Sequence, residues 1–381
     1  MGILITLTIA FLLVAFPLYG QNADSEYERI SLHTMLLSYH SHSYEKTIKD
    51  VFGKYPFPER FNDHNIGAKS IVIYGGDDDQ SKNIMEFCRQ VNLAQKMVAK
   101  WFNRDRSTGN MNMNLVKERG LYNATQTQIN VARASMRGLA LLEDAGENLI
   151  KQTYLVVNDI QYKSHTRGIS LLSPSSWGEL KGFTVEVTSY LFRLKWNDDL
   201  ATEFYNNYYT ENGIKDHDKV EAFVRDGSQW QMEYAGKTFS KSNKISKREA
   251  SFTPRLLLEK VTTRALDKNL AQLQHNYPDF RIKAPLTNVE PLKAYVGLKE
   301  DITPQSRFEV LERVIDKEGK LSYKRVGIIK PVTSHIWDNR YMADDEDADY
   351  GLGYTEFEKV SGSTFMPGML IREIVSEIEH K

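Results

Sequence analysis

The texture of the chain changes once, at Pro291, and that change constrains the fold more than any other feature. Ahead of it, a helical periodicity runs directly into a β-rich segment twice, over residues 126–160 and 254–288. In the first unit Asn123 and Gln126 stand at capping-box spacing, and Ile129, Ala132, Met136, Leu139 and Ile150 follow one face. Tyr154, Val156, Val157 and Ile160 then read as a strand. In the second, Pro254 opens a helix through Leu257, Val261, Ala265, Leu270 and Leu273. Two such units can lay strands in one mixed sheet with helices on its faces. After Pro291 the chain reads as strands. Phe308–Ile315 and Tyr323–Ile329 flank a hairpin loop at Asp316–Gly319, and Met369–Val375 reads as the closing strand. The expected fold is therefore α+β: a mixed sheet with helices on its faces, followed by a small C-terminal β-barrel-like domain.

The remaining elements follow from the same periodicities. Residues 24–53 read as helical on Ile30, Met35, Leu36, Leu37, Ile48 and Val51, ended by Pro56 and Pro58. Lys69–Gln80 is a short strand with a Gly-Gly turn, and a helix is expected from Gln80 to Phe102. Met111–Gly120 reads as a strand, 163–182 as a Ser/Gly-rich loop, Phe183–Trp196 as a long strand and Asp198–Tyr209 as a short helix. Asp226-Gly227 is the expected turn of a hairpin. Gly138, with Ala134 and Ser135, marks close docking of its helix on a neighbour rather than a reaction centre. The expected domain plan is a signal peptide over 1–20, an α/β domain over 21–290 with an insertion near 163–250, and a small β-domain over 291–381.

Cellular route is read from the N-terminus. Ile3 to Phe16 is an almost unbroken apolar run followed by Pro17, Gly20 and polar Gln21. Its length suits the core of a secretory signal and falls short of the ~20 residues of a spanning helix. Cleavage near Gln21 is expected, leaving no transmembrane span. Cys88 is the only cysteine, which excludes an internal disulfide and any multi-cysteine metal site. Net charge is −1 and the basic residues are scattered, so no field would draw nucleic acid.

The C-terminal pattern "VGLKEDITPQSRFEVLERV…KRVGIIKPVTS…GSTFMPGMLIREI" resembles the small β-domain that closes flagellar assembly protein T and related envelope proteins. The helix-then-strand stretch ahead of it, Leu256–Leu286, is similar to the α/β domain of curli-secretion-type lipoproteins. The whole chain also resembles members of an uncharacterised exported family of Gram-negative bacteria. The resemblance implies an envelope assembly or scaffold role rather than catalysis. Two departures stand out: no lipid-anchor cysteine is present, and residues 163–250 do not match.

Several constellations could carry chemistry, and each has a simpler reading. His40 and His42, with His33 upstream, could bind zinc from a strand but diverge on the helix expected there. Gly75–Gln80, "GGDDDQ", follows a strand; it lacks the Lys-Ser/Thr of a phosphate loop, and helix capping is the favoured reading over a divalent cation. Asp345, Asp347 and Asp349 alternate, with Glu356 at the twelfth position from Asp345, as in a calcium loop. A solvated acidic loop over 344–349 is the favoured alternative. Cys88 reads as core. Asp159, Glu186 and Glu233 sit on or beside expected strands and stay open as paired carboxylates. No catalytic residue, cofactor or metal ligand is assigned. The expected function is an exported, non-catalytic envelope scaffold or assembly protein in the periplasm or at the outer-membrane periphery, with other envelope proteins as partners. The alternative is an exported hydrolase acting on glycans or peptides, suggested by the abundant Tyr and the Trp177 loop. Oligomeric state is not legible.

Overall fold

The computed structural model describes residues 30–38, 43–58, 61–73, 79–123, 146–167, 180–211, 216–245, 253–281, 283–315, 321–343 and 353–375. The apolar run 3–16, His40, His42, Gly75–Asp78, Gly138 with its helix, Trp177, the 316–319 turn and the acidic run 344–349 lie outside them.

The first domain is a mixed sheet in the order β2-β1-β4-β5-β6, with β3 also paired to β1. Its strands are β1 (Ser31–Ser38), β2 (Asn62–Asp63), β3 (Ser70–Val72), β4 (Thr153–Arg167), β5 (Leu180–Leu194) and β6 (Met232–Ile245). β1 is parallel to β2, β3 and β4, whereas β4, β5 and β6 are antiparallel. Strand alternation divides the core in two. On one face Met35, Leu37, Leu155, Val157, Phe192 and Leu194 are covered by five helices. These are α2 (Gln80–Gln90), α3 (Leu93–Trp101), α4 (Asn114–Asn123), α5 (Asp198–Asn207) and α6 (His217–Arg225). On the other face Leu36, Ile160, Val185 and Val187 pack against α1 (Glu45–Lys54) and α7 (Pro254–Asn276).

The α7 helix is the axis of the molecule. Thr253 caps it by accepting from the Leu256 N–H, and Pro254 occupies its first turn. It is buried on most of its circumference, because the sheet lies on one side and α1 and the C-terminal domain on the other. Lys299 Nζ lies 3.5 Å from Asp267, Gln272 Nε2 donates to Asp301 at 3.0 Å, and His275 pairs with Glu373 at 2.7 Å. The C-terminal domain is a closed antiparallel barrel of order β10-β11-β8-β7-β12-β9. It comprises β7 (Ala284–Val289), β8 (Leu292–Ala294), β9 (Phe308–Ile315), β10 (Leu321–Pro331), β11 (Thr355–Gly362) and β12 (Leu370–Glu373). Leu286, Val310, Ile329, Phe357 and Ile371 fill its interior. The fold is thus α+β with a C-terminal barrel. Among the described residues no helix is long and apolar enough to cross a membrane.

Five local expectations are corrected. Ser31–Ser38 is a strand, not part of a helix. As the central parallel strand it is covered on both faces, so it shows no polar alternation, and its apolar run imitates a helix face. Residues 111–120 are expected as strand, but from Asn114 the chain forms α4. The expected hairpin over 220–240 is a helix followed by a strand: Asp216 caps α6 by accepting from the Lys219 N–H, and Asp226 ends it. The single helix expected from Gln80 to Phe102 is two, broken where Asn92 takes φ 50°. Segment 163–250, read as an insertion, supplies β5 and β6 to the sheet itself.

Candidate functional site

A cleft of about 400 Å³ lies between β1, α1 and α7. That volume falls in the range of small-molecule sites. One wall is an α7 stripe of Leu266, Asn269, Leu270 and Leu273. Their i, i+3, i+4, i+7 spacing makes one continuous ridge of roughly 10 Å. The floor is the sheet, through Leu32, Leu36, Val156 and Asn158. Phe52 and Gly53 from α1, and Tyr55, Phe57 and Pro58 from the segment after it, form the opposite wall. A side chain added at Gly53 would meet nothing within 4 Å, so this helix position opens onto the cleft. Pro56 and Pro58 hold that segment extended. Tyr55 Oη donates to Asp267 at 2.7 Å and ties it to α7.

Two buried amides, Asn158 in the floor and Asn269 in the α7 wall, supply the polar lining, and the protein engages both. Asn158 donates to the Met35 carbonyl at 3.3 Å and accepts from Ser189 Oγ at 2.6 Å. Asn269 donates to the Val187 carbonyl at 2.9 Å and accepts from Thr238 Oγ1 at 2.8 Å. The rim carries charge. Lys49 is paired with Glu45 at 2.8 Å, and the Asp63 carboxylate accepts from the Asn65 N–H at 3.0 Å. Exposed Lys69 completes it and has no acidic partner among the described residues.

Behind β1, on the α3 and α4 side, lies a buried polar cluster. Arg119 Nη1 is 2.8 Å from both Ser31 Oγ and His64 Nδ1, and Nη2 donates to the Asp63 carbonyl at 3.0 Å. Its guanidinium lies 4.4 Å from the centre of the Trp101 ring. Trp101 Nε1 in turn donates to Thr153 Oγ1 at 2.8 Å. Arg119 can only donate, so His64 Nδ1 accepts and Nε2 carries the proton toward the Met97 carbonyl, 2.9 Å away. Burial, and then the Arg119 charge, push the His64 pKa well below its ordinary value. Burial likewise pushes His33 down to about 4, against smaller raising effects from the Ala68 backbone and Asp63. His33 Nε2 is buried with no hydrogen-bond partner among the described residues.

The structure disperses the residues singled out from sequence. Asp79 caps α2: it accepts from the Ser81 N–H at 3.0 Å, and the Ser81 hydroxyl holds its carboxyl below the usual range. Cys88 is buried core, its thiol pushed up to about 12 by burial. Asp159 and Glu186 share a sheet face, but Asp159 accepts from Gln161 at 2.7 Å and Glu186 pairs with Lys241 at 2.7 Å. Strand alternation puts Glu233, beside Met232, on the opposite face, so the three do not converge. Glu356 lies on β11, 3.8 Å from Lys293 and 3.7 Å from His335. Among the described residues no group of three or more His, Cys, Asp or Glu is placed to hold a metal ion. Sequence reasoning missed the cleft itself. Its available signals were the "YPFP" run Tyr55–Pro58 and the asparagines 158 and 269 among apolar positions. No protein-family model matches the chain, and no curated protein matches it.

Proposed function

We propose that this is an exported, non-catalytic protein of the cell envelope that works by binding, in an assembly or scaffold role, with the cleft between β1, α1 and α7 seating an apolar part of its partner. The observation that carries the reading is the state of the cleft. Its walls are mostly apolar, and the two lining amides, Asn158 and Asn269, are already bonded within the protein through nitrogen and oxygen. None of the described lining residues forms a serine–histidine or threonine–histidine hydrogen bond, one arrangement by which a hydrolase activates its nucleophile. Export is supported by the apolar run 3–16, and an assembly role by the C-terminal resemblance. The test is affinity capture from the native envelope, with wild-type protein and the cleft-filling variant Gly53→Leu. A set of envelope proteins recovered by the wild type and lost by the variant supports the reading. Turnover of glycan or peptide substrates by the purified wild type overturns it.

A further inference from the structure

We infer that the cleft seats an extended, uncharged peptide segment of the partner, its apolar side chains on the α7 stripe and its main chain hydrogen-bonded to Thr34 of β1. The inference rests on the cleft being the binding site and goes on to name the ligand class. Main-chain bonding supplies the first argument. β2 and β3 both pair with the same edge of β1, β2 at Ser31 and Leu32 and β3 from Leu36 to Ser38. The Leu32 carbonyl accepts from the His64 N–H at 2.9 Å, and the Leu36 N–H donates to the Lys69 carbonyl at 2.9 Å. Alternate residues of a strand turn their N–H and C=O groups to the same edge, so those of Thr34 face the gap between these two bonds. Neither has a backbone partner there among the described residues, and half-buried Thr34 lines the cleft. A donor and an acceptor on one strand residue match the C=O and N–H of a peptide, whereas a hydrocarbon meets neither. Shape supplies the second argument. The α7 stripe of Leu266, Leu270 and Leu273, roughly 10 Å long, spans about three residues of extended chain and lies opposite Leu32, Leu36 and Val156. Polarity and charge supply the third. Asn158 and Asn269 are engaged within the protein, and by strand alternation the His33 ring turns with Met35 and Leu37 to the other face of β1. Asp63 and Lys69 stand on the rim with opposite charge, so the rim selects neither an anion nor a cation.

The experiment titrates the full chain by calorimetry with the neutral capped peptide acetyl-Ser-Leu-Ala-Leu-Ser-amide, its fully N-methylated analogue and octanol. The peptide should bind, and N-methylation, which removes its donors, should weaken it by about tenfold. Thr34→Pro is the matching change in the protein. The Thr34 N–H has no backbone partner at this edge, so proline there should keep the melting temperature, weaken the peptide by about tenfold and leave octanol unchanged. Should Thr34→Pro misfold, the N-methylated peptide decides alone. Gly53→Leu and Leu270→Trp fill the cleft from opposite walls, and each should remove binding of peptide and octanol alike. No binding of the peptide, or equal binding of its N-methylated analogue, overturns the peptide inference and leaves the cleft reading standing. Peptide binding that folded Thr34→Pro leaves intact overturns the contact with Thr34. Binding that neither filling variant reduces overturns the assignment of the cleft itself.

Discussion

Tyr55 and Asp267, 212 positions apart, share a 2.7 Å hydrogen bond that joins the segment after α1 to the middle of α7. Lys299 of the barrel domain reaches the same carboxylate at 3.5 Å, so one buried side chain ties three parts of the molecule. Burial raises the Asp267 pKa, opposed by Lys299 and by the Tyr55 hydroxyl. Its folded pKa is above the unfolded value, so its contribution to stability is present at low pH and lost as pH rises through the folded pKa. Tyr55→Phe removes a donor to the charged form. It should cost about 1.5–3 kcal/mol at pH 7 and less at pH 4, where a smaller fraction of the carboxyl is charged. Urea denaturation at the two pH values checks this, and equal losses would show that the charge plays no part.

Arg119→Lys should be far from conservative. The guanidinium meets Ser31, His64 and the Asp63 carbonyl in one plane while lying over Trp101, and an ammonium cannot reproduce that fork. A loss of about 2–4 kcal/mol is expected from the unsatisfied groups left behind. The measurement is the shift of the urea midpoint. A change below ~0.5 kcal/mol would remove the cluster from the stability of the fold.

Acid should weaken the protein through His33 and His64. Both are depressed below the ordinary histidine value in the folded state, so the unfolded chain binds more protons as pH falls below about 6.5. Their contribution is therefore present above that pH and lost below it. For His33, whose folded pKa is about 4, the loss down to that pH amounts to at most about 3 kcal/mol. His275 has the opposite sign: the hydrogen bond to Glu373 raises it, and its stabilisation is lost as pH rises through its folded pKa. His33→Gln should flatten the slope of unfolding free energy between pH 4 and 6.5. His275→Gln should leave that acid slope unchanged and flatten the fall in stability above pH 6.5, where the His275 contribution is lost.

Gly236→Ala should destabilise, and Tyr277→Phe should partly rescue it. Gly236 sits at φ 142° beside the bulge in β6, and a methyl there would strike the Tyr277 hydroxyl. The backbone strain remains in the double variant, whereas the clash with oxygen is gone. A double-mutant cycle with a coupling of about 1 kcal/mol is expected, and full additivity would refute the contact.

How much was legible depended on how local the signal was. The α7 start reads directly from Pro254, because a proline that suits the first turn acts locally, whereas the Thr253 cap emerged from the structure. The β9–β10 pair reads from its alternation, since a half-exposed hairpin displays its pattern in one stretch. β1 did not read, because helices cover both its faces. α4 and α6 were mistaken for β structure: the short apolar runs that carry them fit either period until a neighbour selects one. The cleft was illegible for a related reason. Asn158 and Asn269 lie 111 positions apart in the chain and come to line one cleft only when α7 packs across β5 and β6.

From its sequence alone this chain determines its class and its locally coded elements: the α+β texture, the change near Pro291, the cap of α2, the start of α7 at Pro254, and the absence of an internal disulfide. These depend on residues within a few positions of one another, where propensity and hydrogen bonding act directly. Tertiary structure decided that β1 is the central parallel strand, that Arg119 and His64 share a buried cluster, and that Tyr55, Asp267 and Lys299 meet beside an apolar cleft. Each of those depends on pairing across long loops, where the burial of apolar surface and the need to satisfy buried polar groups select a partner that no local pattern names.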